Sequence, residues 1–288
     1  MTRPLLAIDG DNFAHRAFHA LPKTIRRKDG RPAGAIVGFA NVLLGLIEHE
    51  QSRAVVVGWD TLETPNFRQR LFPAYQSGRV FDPAIVEQLA AIPHLVRACG
   101  FANAKAPGYE ADDFLAAAAA SEERRGGTTL VASGDRDAFQ LASATTTILH
   151  PVKAGVMARI GPAEVHERYG VTPHQVPDFI ALRGDPSDKL PGARGVGAKT
   201  AAALLNRFGS LEAVLADGRF AEEAEALRLY RRIATMDATA PLPPLTDQQP
   251  TWGAAAALAR DWGLERLARR LEEGPALSLG PSAGGGSV

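Results

Sequence analysis

The chain has 288 residues, 45% of them hydrophobic, and balances 32 Lys and Arg against 32 Asp and Glu. That is enough apolar material for one large domain or two smaller ones, and too much for a disordered chain. A single cysteine, Cys99, excludes an intramolecular disulfide. No apolar run is long enough to span a bilayer, and no basic start precedes a long apolar segment, so a cytoplasmic protein with no membrane partner is expected.

Leu5-Leu6-Ala7-Ile8 runs into Asp9, and the unbroken apolar run suits a buried parallel strand. A basic loop follows over residues 23 to 31. Ile36 to Glu48 has helical spacing of Phe39, Val42, Leu43, Leu46 and Ile47. Ala54-Val55-Val56-Val57 is a second strand leading to Asp60, and Asp113 to Glu123 is a strong helix former. Thr129-Leu130-Val131-Ala132 is a third strand, leading through Ser133 and Gly134 to Asp135. Residues from about 162 to 240 read as helical, Pro241-Leu242-Pro243-Pro244 marks a boundary, and helices follow between Trp252 and Leu271. Strands alternating with helices predict an α/β fold with a doubly wound, mainly parallel sheet, whose ligand crevice lies at the carboxyl ends of the strands.

Nine carboxylates fall at such strand ends, helix starts or tight turns: Asp9, Asp60, Glu110, Asp112, Asp113, Asp135, Asp137, Asp185 and Asp188. Any one alone reads best as a helix cap or turn former. Together they would repel strongly unless cations held them, which points to metal-dependent hydrolysis of a phosphodiester. Asp112 and Asp113 are about 100° apart on a helix, so they suit two neighbouring ions better than one. Setting the nine aside leaves 23 acidic residues against 32 basic ones, the balance of a phosphate-backbone binder.

Leu190 to Ala201 contains Gly192, Gly195 and Gly197. It is not a P-loop, because Ala198 stands where that motif requires Lys. It reads instead as a glycine turn between helices, with Gly195, Gly197, Lys199 and Thr200 placed to meet a phosphate, or else as a plain helix connection.

In order, Ile8-Asp9-Gly10, Arg16, Ala17 to Pro22, Trp59-Asp60, Phe67-Arg68, Tyr75, Arg79, Tyr109 to Asp113, Gly134 to Asp137, Gly184 to Asp188 and the glycine turn resemble the bacterial 5′ nuclease or flap endonuclease family. That family also forms the N-terminal domain of bacterial DNA polymerase I, and here the chain looks free-standing. The resemblance covers about residues 4 to 240. It implies a nuclease core over 1–161 with a helical arch at about 62–100, and a duplex-binding region over 162–240 with a helix-three-turn-helix. A helical extension over 241–273 and a flexible tail over 274–288 complete the expected organisation.

The resemblance further implies two Mg²⁺ or Mn²⁺ ions, one fed by Asp9, Asp60, Glu110 and Asp112, the other by Asp113, Asp135, Asp137, Asp185 and Asp188. It implies K⁺ at the helix-three-turn-helix, and a monomer is expected. The partner would be DNA with a 5′ flap or a 5′ end at a junction, RNA-primed ends included. Arg79 would stabilise the phosphoryl oxygens, Tyr75 would stack on an unpaired base, and Arg16 and Arg68 would contact nucleic acid. Two positions depart from the family pattern: Gln76 replaces a lysine, leaving Arg79, Arg68 or Arg70 to supply the cation, and Lys189 replaces an asparagine and would meet backbone phosphate. Two competing readings are a haloacid-dehalogenase-type phosphatase built on Asp9-Gly10-Asp11, which leaves Glu110 and the glycine turn unexplained, and a non-catalytic DNA-structure binder.

Overall fold

Apolar runs at Leu5–Asp9 (β1), Ala54–Gly58 (β2) and Thr129–Ala132 (β4) lie side by side as fully buried parallel strands. The computed structural model describes residues 3–153 and 155–275. Ala102–Ala104 (β3) adds an edge beyond β2, while Thr146–Lys153 (β5) and Val156–Ile160 (β6) extend the other side as an antiparallel hairpin. The six strands run in the order β3-β2-β1-β4-β5-β6.

Strand side chains alternate between two cores, because successive residues point to opposite faces. Leu5, Ala7, Val56 and Val131 enter one core with the helix Ala111–Arg124 (α5) and the C-terminal helices. Leu6, Ile8, Val55, Val57 and Leu130 enter the other. There they meet Gly10–Ala20 (α1), Gly34–Glu50 (α2) and Pro83–Ala98 (α4). Both faces are covered, as the unbroken apolar runs require. From β1 the chain steps outward to β2 and β3, then returns through α5 to β4 on the other side of β1, so the topological switch point lies at the carboxyl ends of β1 and β4.

Of the expected arch interval 62–100, only part stands near the switch point. Phe67–Leu71 (α3) is a single short helix, and residues Tyr75, Gln76, Arg79 and Phe81 after it line the cavity there. α4 is drawn into the body by Ile85, Leu89, Ile92, Leu95 and Val96.

The second half is helical. Pro162–Tyr169 (α6) packs against β6, and Val176–Arg183 (α7) precedes the glycine turn. Ala198–Phe208 (α8), Leu211–Ala216 (α9) and Ala224–Ala234 (α10) follow. The expected extension is docked on the sheet domain. Gln248 exchanges hydrogen bonds with Arg53 and Val55, and Trp252–Asp261 (α11) and Glu265–Glu272 (α12) complete the core beside α2 and α4. Of the tail, residues 276–288 lie outside the described residues.

Candidate metal centre

A cavity of about 1000 Å³ opens at the carboxyl edge of β1, β2 and β4. Asp9, Asp60, Glu110 and Asp112 line it from the β1, β2 and α5 side, and Asp135, Asp137 and Asp188 from the β4 and α7 side. Asp185 lies outside the lining, yet its charge acts on Asp137 and Asp188. Its Oδ1 accepts the Ser187 amide at 2.8 Å. Asp11 joins the wall, which was not foreseen as part of this site; it sits at the same helix start as Asp9, and its Oδ2 accepts the Asp60 amide at 2.7 Å.

Local geometry holds each group. Asp9 caps α1 through the Asn12 amide at 3.0 Å and accepts the Ser133 hydroxyl at 2.8 Å, so the capping role and the site role coexist in one side chain. Asp60 accepts the Ala111 amide at 2.8 Å, which ties the end of β2 to the start of α5. Asp135 accepts the amide of Asp137 at 2.9 Å.

Asp113 stands outside the cavity lining. It is fully buried, and both its oxygens are used: Arg68 donates to each, at 2.8 and 2.9 Å, while the amides of Asp237 and Glu110 supply the other two bonds. Arg68, expected at the nucleic acid, is buried against these carboxylates. It is 1% exposed, pairs with Glu110 at 2.8 Å and Asp112 at 3.6 Å, and donates to the carbonyl of Ile233. A five-residue helix gives no sequence signal for which way its arginine points, and this one faces inward because the acidic cluster is there.

Tyr75 is likewise buried, its hydroxyl donating to Glu110 at 3.1 Å, and it lines the cavity. Gln76 holds a left-handed backbone, φ +48°, and its amide nitrogen donates to Asp188 at 2.9 Å and to the Tyr75 hydroxyl. Its carbonyl accepts Arg79, which is exposed and lines the cavity, as does Arg16. Lys189 is exposed, and its ammonium is held by the carbonyl and hydroxyl of Ser77. Arg70 lies outside the cavity lining.

The turn between α7 and α8 is built by backbone contact at Gly184 and Gly192. Both have positive φ, and a Cβ on Gly192 would meet the Gly184 nitrogen at 2.4 Å. Gly195 is also left-handed, φ +74°. Gly197 is not: it is the extended N-cap of α8, with open space around it. Lys199 and Thr200 are exposed in the first turn of α8.

Electrostatically the cavity is under tension. Burial pushes Asp9 up to about 7, helped by the charges of Asp60 and Asp135 and opposed by the Asn12 and Ser133 bonds. Burial likewise raises Glu110 to about 7 against the pull of Arg68. Asp112 and Asp137 lie well above the usual carboxylate range, first through burial and then through neighbouring carboxylates, with Arg68 opposing the rise at Asp112. Asp112 Oδ1 is buried with no hydrogen-bond partner. These are oxygen donors short of positive charge, the chemistry a hard divalent cation satisfies. Among the described residues no three acidic, histidine or cysteine side chains form a ready-made chelate.

A carboxylate-lined cavity at the switch point of a parallel sheet, joined to a helical half, defines the class: an α/β protein with an acidic crevice where such sheets bind their ligands. The family follows from comparison. Residues 4–170 match the model of the 5′-3′ exonuclease N-terminal resolvase-like domain, and residues 171–253 match that of the 5′-3′ exonuclease C-terminal SAM fold. The chain belongs to the 5′-3′ exonuclease family.

It is 42% identical over 212 residues to the thermostable DNA polymerase I of Thermus aquaticus, covering 73% of this chain and 25% of that protein. Identity to DNA polymerase I of Mycobacterium tuberculosis H37Rv is 38% over 214 residues, covering 73% and 24%. The chain thus spans about a quarter of those polymerases' length. In fold it is similar to the T5 5′-exonuclease solved with zinc ions, with TM-score 0.67, 18% identity and coverage of 95% and 100%. It is also similar to flap endonuclease-1 from Methanococcus jannaschii, with TM-score 0.59, 19% identity and coverage of 96% and 93%. The family match removes the dehalogenase-type reading.

Proposed function

We propose that this chain hydrolyses phosphodiester bonds of DNA at 5′ flaps and at 5′ ends beside a duplex, using two Mg²⁺ or Mn²⁺ ions held in the carboxylate cavity. The observation that carries the reading is Asp112, whose Oδ1 is buried without a partner in a wall of carboxylates raised above their usual range. Native proteins rarely leave such an oxygen unsatisfied. Asp9, Asp60, Glu110 and Asp112 are the donors for one position, and Asp135, Asp137, Asp185 and Asp188 for the other.

Bound divalent ions supply Lewis-acid stabilisation of the phosphoryl oxygens and a nucleophilic water at neutral pH. The chain's own residues position and exclude. Asn12 and Ser133 fix the Asp9 carboxylate, and Arg68 offsets part of the charge of Glu110 and Asp112 from behind. Arg79, on the cavity rim, brings a mobile positive charge to the developing phosphoryl charge, restrained by Gln76. Lys199, Thr200 and the free amides of the α8 start hold duplex backbone away from the cut.

A 5′-flap duplex incubated with and without Mg²⁺, beside a small phosphomonoester, tests the reading. Only the flap should be cut, and only with metal. Asp112→Asn should lower cleavage by on the order of 10²–10³-fold or more while leaving DNA affinity equal or raised, since one repelling charge is lost. Turnover like that of the unmodified protein in Asp112→Asn would rule out this assignment.

A further inference from the structure

A second cleft, of about 850 Å³, lies on the other side of α3 from the carboxylate cavity. Its walls are α3, the loop through Pro107 and Tyr109, and α10 with the residues that follow it. Four arginines line it, Arg70, Arg228, Arg231 and Arg232, against one carboxylate, Asp237.

The four are not equivalent. Arg228 and Arg231 each pair with Glu212 at 2.9 Å, and Asp237 Oδ1 is taken by the amide and hydroxyl of Thr239. Arg70 and Arg232 are exposed, and among the described residues neither has an acidic partner. Two guanidinium groups left without counter-charge in one concavity repel each other, and a phosphate relieves that repulsion through the forked geometry arginine offers. Phe67, Tyr109 and Met236 supply apolar wall beside them.

The ridge from α3 to Arg79 separates the two hollows. Phe67 and Arg70 face the cleft, while Tyr75, Gln76 and Arg79 face the carboxylates. Gln76 follows Arg70 by six positions, so the two lie at most about 22 Å apart. No residue of the glycine turn or of α8 lines the cleft, so it is separate from the expected duplex grip.

We propose that this cleft is a second nucleic-acid subsite, in which Arg70 and Arg232 hold the phosphate backbone of the substrate's unpaired 5′ arm after it crosses the α3 ridge. The proposal rests on the 5′-nuclease reading for the identity of the strand. Paired arginines beside aromatic wall are the usual materials of single-strand binding. The concavity is of small-ligand size, which suits an unpaired strand rather than a duplex.

The test is fluorescence anisotropy on the full chain in Ca²⁺ across a salt series, comparing a duplex that carries a long 5′ single-stranded arm with the same duplex lacking the arm. Arg70→Ala combined with Arg232→Ala should weaken binding of the armed duplex about tenfold or more and reduce its salt slope by about 1.4, two single-strand phosphates' worth. The unarmed duplex should bind unchanged. Arg70→Lys combined with Arg232→Lys should restore most of the armed affinity, and a melting curve for each variant separates misfolding from lost binding. Equal loss on both duplexes, or no loss, overturns the proposal. So does competition by a deoxynucleoside monophosphate as strong as that by a single-stranded oligonucleotide, which would make the cleft a free-nucleotide site. Binding is read without cleavage, so an inactive unmodified enzyme would sink the nuclease reading and leave this measurement standing.

Discussion

Asp112 and Asp113 are neighbours of one residue type on one helix turn, and the structure gives them opposite work. Asp112 presents an unsatisfied oxygen at the cavity, whereas Asp113 spends all its bonding on Arg68 and two backbone amides. Substitution should separate them. Asp113→Asn strips the buried Arg68 of its main partner and should cost about 3–5 kcal/mol of stability, the usual penalty for breaking a buried ion pair from one side. Asp112→Asn removes a buried, repelled charge and should leave stability equal or higher in metal-free buffer. Urea unfolding of the two variants without divalent ions checks this, and a stable Asp113→Asn protein would return that carboxylate to the ligand set. The distinction was illegible in sequence because it depends on where Arg68 points, and nothing in Phe67-Arg68-Gln69-Arg70 sets the inward arginine apart from the outward one.

At the level of elements, β1, β2 and β4 were legible because each is an unbroken apolar run, and only a strand covered on both faces needs one. β5 and β6 were not. They mix polar and apolar residues at the sheet edge, where one hairpin partner replaces a crossover helix. The glycine turn was legible as a turn, but its glycines divide the labour differently from expectation: Gly184 and Gly192 make the close contact, and Gly197 needs no unusual backbone. A side chain at Gly197 should therefore carry no folding penalty, and any DNA affinity lost in Gly197→Val would be lost through contact with the DNA backbone. Lys199 tests the element itself. If the start of α8 holds duplex backbone, Lys199→Ala should lower the slope of log affinity against log salt by about 0.9 on flap DNA, one duplex phosphate's share, and have less effect on single strands. An unaltered slope would reduce the turn to a connection between α7 and α8.

Across the whole molecule the charge balance is zero, yet its distribution is not: acidic groups crowd one cavity while arginines occupy the cleft behind it. The crowding makes the fold's stability depend on pH and on cations together. Asp9 and Glu110 are raised to about 7 chiefly by burial, so between roughly pH 4 and 7 the folded chain holds protons that the unfolded chain has released. Their contribution to stability is thus fully present below the ordinary carboxylate pKa and is lost as pH rises through about 7. Divalent ions should act in the opposite sense, because they bind the ionised form and compete with protons. In EDTA the melting temperature should therefore fall between pH 5.5 and pH 8 by more than in an Asp9→Asn variant. Added Mg²⁺ should recover the loss at pH 8, by about 2.7 kcal/mol at a hundredfold excess over its Kd, and recover little at pH 5.5. Thermal melts at both pH values, with EDTA or Mg²⁺, measure the four corners of this cycle. An equal Mg²⁺ increment at the two pH values would mean that the ions bind somewhere other than these raised carboxylates, and the assignment of the cavity as the metal centre would fall with it.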